Sequence, residues 1–226
     1  MTRAFVAGAT GHVGRRVVAE LRAAAVETIA HVRPDSARVE EWRAKLAPID
    51  TTPWELGAMT ETLARIRPTH VLCLIGTTRK QAARANVEGD PYLAIDVGLT
   101  KLLVDACVAS GAAPRLVLLS SVGVKETARS KYMHAKWLAE EAVRGSGLPW
   151  IIARPSMIAG GGRDEGRPFE RAGIAVAGGL LAVAGVFAKK TAARYQTTDA
   201  DRLAAALARV TLDGTPDTIY ENEHLR

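Results

Sequence analysis

A tyrosine and a lysine four residues apart are the side chains in this sequence best placed to move a proton. Tyr132 and Lys136 stand in the stretch YMHAK, eleven residues after Ser121, and residues four apart lie on one face of a helix. A tyrosine hydroxyl is a weak acid with a reference pKa of ~10, but a neighbouring ammonium stabilises the phenolate and lowers that pKa. A serine hydroxyl opposite would orient a carbonyl or an alcohol, so the three residues predict a proton-transfer site.

Two serines compete for the third role in this site. Ser120 and Ser121 end the apolar run RLVLLSS, which is typical of a buried strand. We take Ser121 as the acting serine and keep Ser120 as the alternative.

A glycine-rich stretch, VAGATGHVG, begins almost at the start of the chain and spaces its glycines as G-x-x-G-x-x-G. It lies between a predicted strand, RAFVAG, and a predicted helix over 11–25. In a doubly wound fold, the first turn from strand to helix binds a pyrophosphate at the helix N-terminus. Gly8 would permit the turn, Gly11 would leave room for the phosphates, and Gly14 would let the helix pack on the strand. The other candidate cofactor-binding residues of the loop are Thr10, His12 and Val13.

Two residues at the ends of predicted strands bear on which dinucleotide would bind. A site for NAD often has an acid at the end of the second strand, ~20 residues beyond the glycines. Here Arg33 ends the strand ETIAHVR, and a guanidinium suits a 2′-phosphate, which it can bind with two hydrogen bonds. The sequence therefore predicts that NADP(H) is preferred and NAD(H) is possible. Asp50, at the end of a short third strand, is placed either to contact the adenine or to cap a turn.

The elements that must position these residues alternate along the chain. Further strands are predicted at 47–50, 70–76, 115–121 and 149–155, and further helices after Asp35 or Ser36, around 56–63, over 92–110 and over 130–145. Such alternation is typical of a parallel sheet covered by helices on both faces. We therefore expect an α/β fold with a doubly wound, Rossmann-like parallel sheet.

Length, composition and charge restrict the protein class. The chain has 226 residues, of which 48% are hydrophobic, and a formal net charge of +6. These values predict one large domain, or one domain with a small cap, around a substantial core. The positive charge fits an anionic cofactor. The positive charges form no dense basic run, so nucleic acid is not predicted as a partner.

The cysteines and histidines give no sign of a disulfide or a metal site. Cys73 lies in a predicted buried strand and Cys107 in a helical pattern, so a reducing cytoplasm is expected. The sequence also shows no N-terminal signal peptide. None of the five histidines has the spacing of metal ligands with a supporting cysteine or carboxylate, and no metal is predicted.

An apolar, glycine-rich run occupies residues 172–188. It is shorter than the ~20 apolar residues of a comfortable transmembrane helix, so no stable membrane span is predicted. The run could line a substrate pocket, join a dimer interface or touch a membrane surface, and the first two are favoured.

Several motifs together resemble those of a known family. GATGHVG, SSVG, YMHAK and ARPSMIAGG resemble the atypical and extended short-chain dehydrogenases/reductases, and LCLIGTTR resembles their Tat-interacting-protein-like branch, whose members bind NADPH. The resemblance covers essentially the whole chain. It implies that the cofactor contacts Gly8, Gly11 and Gly14, together with Gly76, Thr77 and Thr78 in the loop after the fourth strand. It also implies that Ser121, Tyr132 and Lys136 are catalytic, that Lys136 binds the cofactor ribose, and that Asp199 caps a late helix.

The resemblance implies an NAD(P)H-dependent oxidoreductase that acts on a small-molecule carbonyl or alcohol. Hydride would pass between the nicotinamide and the substrate carbon while Tyr132 gives the proton to the developing oxyanion. One alternative is a redox-sensing regulatory protein that binds NADPH without turnover, and another is an NAD(P)-dependent epimerase or dehydratase. The small substrate-binding lobe, residues 156–194 with the C-terminus, weighs against an epimerase. A monomer or homodimer is expected.

Overall fold

The computed structural model describes residues 1–46, 48–77, 88–159 and 197–225. Its strands are β1 (Arg3–Ala7), β2 (Glu27–His31), β3 (Ile49–Asp50), β4 (His70–Cys73), β5 (Arg115–Leu119), β6 (Trp150–Arg154), β7 (Ile158–Ala159), β8 (Thr198–Asp199) and β9 (Thr218–Glu221). Its α-helices are α1 (Gly14–Ala23), α2 (Val39–Leu46), α3 (Leu56–Ile66), α4 (Leu99–Ala109), α5 (Lys131–Arg144) and α6 (Ala200–Asp213). A π-helical segment, Tyr92–Gly98, leads directly into α4, and a short 3-10 turn, Asn222–His224, follows β9.

Seven strands form one parallel sheet in the order β3-β2-β1-β4-β5-β6-β9. The chain moves outward from β1 to β3 and then crosses back to place β4 on the other side of β1. The carboxyl ends of β1 and β4 therefore flank the point where the strand order reverses, which is where open α/β sheets bind ligands. The prediction of a doubly wound, Rossmann-like parallel sheet is confirmed.

Helices cover both faces of this sheet, which explains why its central strands β1, β4 and β5 are apolar at every position after the first. On one face, α1, α2 and α6 pack over side chains such as Val6 and Ile151. On the other face, α3, α4 and α5 pack over Phe5, Leu118 and Ile152. The two cores fix the carboxyl edge of the sheet, where the loops of the candidate site begin.

Strand β9 is an element that the sequence patterns do not predict, as is the two-residue strand β7. Strand β9 pairs in parallel with β6, from Ile151↔Thr218 to Arg154↔Glu221. All four of its side chains are only partly buried, so the run TIYE has neither the alternation nor the apolar continuity that signals a strand. The fully buried Leu225, which follows it, anchors this end of the chain to the core.

A second, two-stranded parallel sheet joins β7 to β8. Beyond it, Asp199 caps α6 as predicted, because its carboxylate accepts a hydrogen bond from the backbone N–H of Asp201 at 2.7 Å. Most of the predicted substrate-binding lobe, including the apolar run 172–188, lies outside the described residues. None of the helices within the described ranges combines the length and the apolar character needed to cross a membrane.

Candidate active site

The glycine loop after β1 folds tightly against its surroundings. Gly8 has a φ of +83°, and a Cβ there would lie 2.7 Å from the carbonyl group of Leu74, the residue after β4. A Cβ on Gly14 would lie 2.1 Å from the carbonyl oxygen of Gly8. Gly11 donates its N–H to that same oxygen at 3.0 Å, and a Cβ there would lie 3.1 Å from it. Backbone conformation and close backbone approach therefore require Gly8 and Gly14, as their predicted roles imply.

The N-terminus of α1 has the character of an anion site. Among the described residues, no side chain caps this end of the helix, where Val13 is the N-cap, and its first turn contains no acid. The N–H groups of Arg15 and Arg16 already donate to the carbonyl oxygens of Gly11 and Val13, so the attraction for an anion comes from the partial positive charge of the helix start. That charge suits a pyrophosphate group, so the residues present fit the phosphates of a dinucleotide.

An arginine that the sequence analysis missed holds this loop to the last helix. Arg16 donates to the carbonyl oxygen of His12 at 2.8 Å, and its Nε lies 2.5 Å from a carboxylate oxygen of Asp201 in α6. His12 and Thr10 are half-buried in the loop. The sequence offers little sign of this role, because the acid that fixes Arg16 is far away along the chain.

The two residues predicted to contact the adenosine half lie at the carboxyl ends of β2 and β3. The side chain of Arg33 is 66% exposed, with its Nε 3.9 Å from the carboxylate of Asp35. One carboxylate oxygen of Asp50 accepts the N–H of Thr52 at 3.0 Å, and the other lies 3.8 Å from Arg65. Asp50 therefore caps a turn, which is one of the two roles left open for it, while Arg33 remains accessible to an anion.

The loop after β4 connects the cofactor side of the site to its catalytic side. The N–H of Thr77 points at the carboxylate of Asp96, at 3.1 Å from its nearer oxygen. A Cβ on Gly76 would lie 3.5 Å from Nζ of Lys136. The structure thus brings Gly76 and Thr77 next to the predicted catalytic lysine, whereas Thr78 lies outside the described residues.

Lys136 forms a buried ion pair. Its Nζ lies 3.0 Å from Oδ1 of Asp96, and the two side chains are 5% and 0% exposed. The ammonium also donates to the carbonyl oxygens of Ile75, at 3.2 Å, and Leu119, at 3.4 Å. Burial acts to lower the pKa of Lys136, but attraction to Asp96 leads the opposing effects and the pKa is raised overall. Asp96 is not among the residues predicted from the sequence, although an acid inside the apolar stretch YLAIDVGLTKLL is a usable signal for a buried, paired carboxylate.

Tyr132 lies beside this ion pair in the first turn of α5. The Nζ of Lys136 is 5.9 Å from the centroid of its ring, so the two side chains share a face of the helix as predicted. The ring of Tyr92 meets the same ring edge-on, with 5.7 Å between centroids. Asp90 fixes the start of the π-helical segment by accepting the N–H of Tyr92 at 2.9 Å. Tyr92 is thus an aromatic neighbour of the site that spacing rules alone do not reveal.

The two candidate serines occupy different surroundings. The hydroxyl of the buried Ser120 donates to Glu140 at 2.5 Å, and Arg154 binds both oxygens of that fully buried carboxylate, at 2.9 and 2.6 Å. Ser120 is therefore engaged in an ion cluster between α5 and the sheet. Ser121, the next residue, is half-buried just beyond the carboxyl end of β5.

Comparison with known proteins identifies the family of this chain. A family model described as NAD(P)H-binding matches residues 8–186. A protein of Aspergillus clavatus named "Protein fmp52, mitochondrial" is 31% identical over 188 residues, which cover 79% of this chain and 75% of that relative.

Two solved structures illustrate the likeness in fold. The UDP-glucose 4-epimerase of Thermus thermophilus, in complex with NAD, has a TM-score of 0.66 and 19% identity, covering 99% of this chain and 81% of that chain. The NADPH-dependent quinone oxidoreductase of Escherichia coli, in complex with NADPH, has a TM-score of 0.62 and 18% identity, covering 97% and 68%. At these identities the two likenesses concern the fold alone.

Proposed function

Because the chain belongs to the NAD(P)H-binding family, we propose that it is an NADPH-dependent oxidoreductase of the short-chain dehydrogenase/reductase type, in the Tat-interacting-protein-like branch. Its reaction is the reduction of a carbonyl group or the reverse oxidation of an alcohol. The observation that carries the proposal is the buried Lys136 ammonium next to the ring of Tyr132. This pair lies at the carboxyl edge of the sheet, where the glycine loop also begins.

The chain's own residues divide into binding and proton-transfer groups. The glycine loop and the N-terminus of α1 hold the pyrophosphate, and Arg33 binds a 2′-phosphate, which gives the preference for NADP(H). The bound dinucleotide supplies or accepts the hydride. Lys136 has three acceptors for its three protons, so binding a ribose hydroxyl would replace one of its longer bonds, to Ile75 or Leu119, and leave the ion pair in place.

Proton transfer is assigned to Tyr132, with Ser121 as the group that orients the substrate oxygen. Tyr132 delivers its proton to that oxygen as negative charge develops there, and the nearby ammonium favours the resulting phenolate. The engagement of Ser120 by Glu140 supports Ser121 as the acting serine.

The substitution Tyr132→Phe tests this assignment. It removes the hydroxyl but keeps the ring that packs against Tyr92, so NADPH affinity, measured by fluorescence, should stay unchanged. Turnover of aldehydes, ketones and quinones should fall by ~10²-fold or more, as expected for the loss of a positioned general acid. Tyr220→Phe is the matched control, because it also removes one tyrosine hydroxyl and keeps the ring. The Tyr220 hydroxyl, on the edge strand β9, accepts a hydrogen bond from the backbone N–H of Thr215, so its removal should leave turnover unchanged.

The outcomes separate this proposal from its alternatives. Equal turnover by Tyr132→Phe and the native protein would contradict the proton-transfer assignment. A native protein that binds NADPH but turns over no member of the panel would instead favour the regulatory, redox-sensing function. The expectations of a small-molecule substrate, a cytoplasmic location and a monomer or homodimer stay predictions. The Aspergillus relative is named mitochondrial, so fractionation of the native cells would decide the location.

A further inference from the structure

We propose that Asp96 is a positioning residue that holds Lys136 as a charge-compensated pair and so sets the pH range over which Tyr132 delivers its proton. The inference deepens the proposed function and rests on it. It assigns a role to a residue that lies neither in the glycine loop nor in the serine, tyrosine and lysine set.

The position of Asp96 makes it the link between two parts of the site. One carboxylate oxygen lies 3.0 Å from the Nζ of Lys136, and the N–H of Thr77 is within hydrogen-bond distance of the carboxylate. The residue is part of the π-helical segment before α4, and its carbonyl oxygen accepts the hydroxyl of Thr100 at 2.6 Å. Local π-helical turns occur often at functional sites. Asp96 therefore fixes both the loop after β4 and the orientation of the lysine.

The charges around Lys136 explain why a carboxylate is needed. Within the described part of the chain, the titratable groups that interact with its ammonium are Asp96, Tyr132 on α5 and Cys73 on β4. Burial raises the pKa of the Cys73 thiol, so Cys73 is neutral near pH 7. Asp96 is the acid of this group, and a buried ammonium without such a partner is strongly disfavoured.

Compensation of the lysine charge has a direct consequence for catalysis. An isolated ammonium would attract the phenolate of Tyr132 at full strength. The paired carboxylate cancels part of that attraction and also keeps the buried ammonium protonated. Both effects extend carbonyl reduction toward alkaline pH, because reduction requires a protonated tyrosine and a charged lysine.

The substitution Asp96→Asn tests this inference, since it removes the charge but keeps the size of the side chain and an oxygen for the N–H of Thr77. The titration of the Lys136 ammonium is followed in the cofactor-free protein by ¹⁵N NMR of lysine Nζ, with Lys136→Met to assign the signal. The ammonium should lose its proton at a pH at least ~1 unit lower, the lower end of the shift that a close opposite charge produces. The alkaline limb of the reduction rate should move in the same direction.

Asp105→Asn is the matched control for this experiment. Asp105 pairs with Lys101 at 2.7 Å on the exposed surface of α4, so its loss should change neither the Lys136 titration nor the pH profile. If Asp96→Asn leaves both measurements unchanged, the inference is overturned, even where Tyr132→Phe supports the proposed function. If the Lys136 titration shifts but the native protein turns over no substrate, the charge pairing stands and the proposed function fails.

A second variant covers the case in which Asp96→Asn folds poorly. The double variant Asp96→Asn/Lys136→Met removes the uncompensated buried charge together with its partner, and replacing both members of a buried pair is tolerated far better than removing one. Its melting temperature should recover most of the loss seen in Asp96→Asn. Absence of recovery would mean that Asp96 serves only the packing of the π-helical segment and would overturn the inference.

Discussion

Replacing Gly14 by alanine should destabilise the protein because the first turn has no room for a methyl group. The new Cβ would lie 2.1 Å from the carbonyl oxygen of Gly8 and 2.9 Å from Cα of Ala9, whereas ordinary contact begins at 3.4 Å. All of these atoms belong to the backbone, so α1 and the loop must separate by more than about 1 Å. Overpacking of this kind costs up to ~3 kcal/mol. For a chain of this size that corresponds to a melting temperature lower by about 6–12 °C.

The matched control is Gly57→Ala, on the exposed face of the first turn of α3. A Cβ at Gly57 would meet nothing within 4 Å, and alanine is favoured over glycine in helices by ~0.5–1 kcal/mol. Its melting temperature should therefore stay equal or rise by about 1–4 °C. Scanning calorimetry gives both values, and fluorescence titration should show weaker NADPH binding by Gly14→Ala alone. If Gly14→Ala were as stable as Gly57→Ala, the close approach between α1 and the loop would be refuted.

The other predictions concern cofactor choice and pH. Arg33→Ala should weaken NADPH binding and leave NADH binding nearly unchanged, because the 2′-phosphate loses its guanidinium; an equal effect on both titrations would contradict the assignment. Burial lowers the pKa of His31, outweighing its hydrogen bond to the carbonyl oxygen of Thr52 and its attraction to Asp50. The stability contributed by neutral His31 is complete above its unfolded pKa of ~6.5 and is lost as pH falls through the folded value, with a slope of at most ~1.4 kcal/mol per pH unit. His31→Gln should flatten this part of the urea-unfolding profile between pH 7.5 and 5, and an unchanged slope would contradict the assignment to this histidine.

The main architecture could be predicted because each strand and helix carries its own local signal. The predicted strand 70–76 nevertheless ends at Cys73, since the apolar residues that follow supply backbone groups to the site, such as the carbonyl oxygen of Ile75 that binds Lys136. The predicted helix over 92–110 begins as a π-helical segment. No periodicity rule distinguishes that segment from an α-helix, because the difference lies in one extra residue in a turn.

The candidate site was predictable where its residues are close in sequence. Tyr132 and Lys136 are four residues apart, so helical geometry alone places them together. Asp96 and Tyr92 reach the same place only through the packing of the π-helical segment against α5. Single-sequence patterns contain little information about such long-range contacts, although the burial of an acid in an apolar helix could have drawn attention to Asp96.

The small sheet of β7 and β8 has a consequence for how relatives of this protein can diversify. Strands β7 and β8 are paired neighbours although they are far apart along the chain, with Ile158 opposite Thr198. The fully buried Asn222 accepts hydrogen bonds from the N–H of Ser156 and the hydroxyl of Thr198, both at 2.9 Å. These two bonds hold the residues before β7 next to the first residue of β8. The entropy of closing a loop grows only slowly with its length, by ~0.6 kcal/mol per doubling. Insertions or exchanged segments between these two strands should therefore leave the stability of the main sheet nearly intact, so this part of the chain can be replaced as a module.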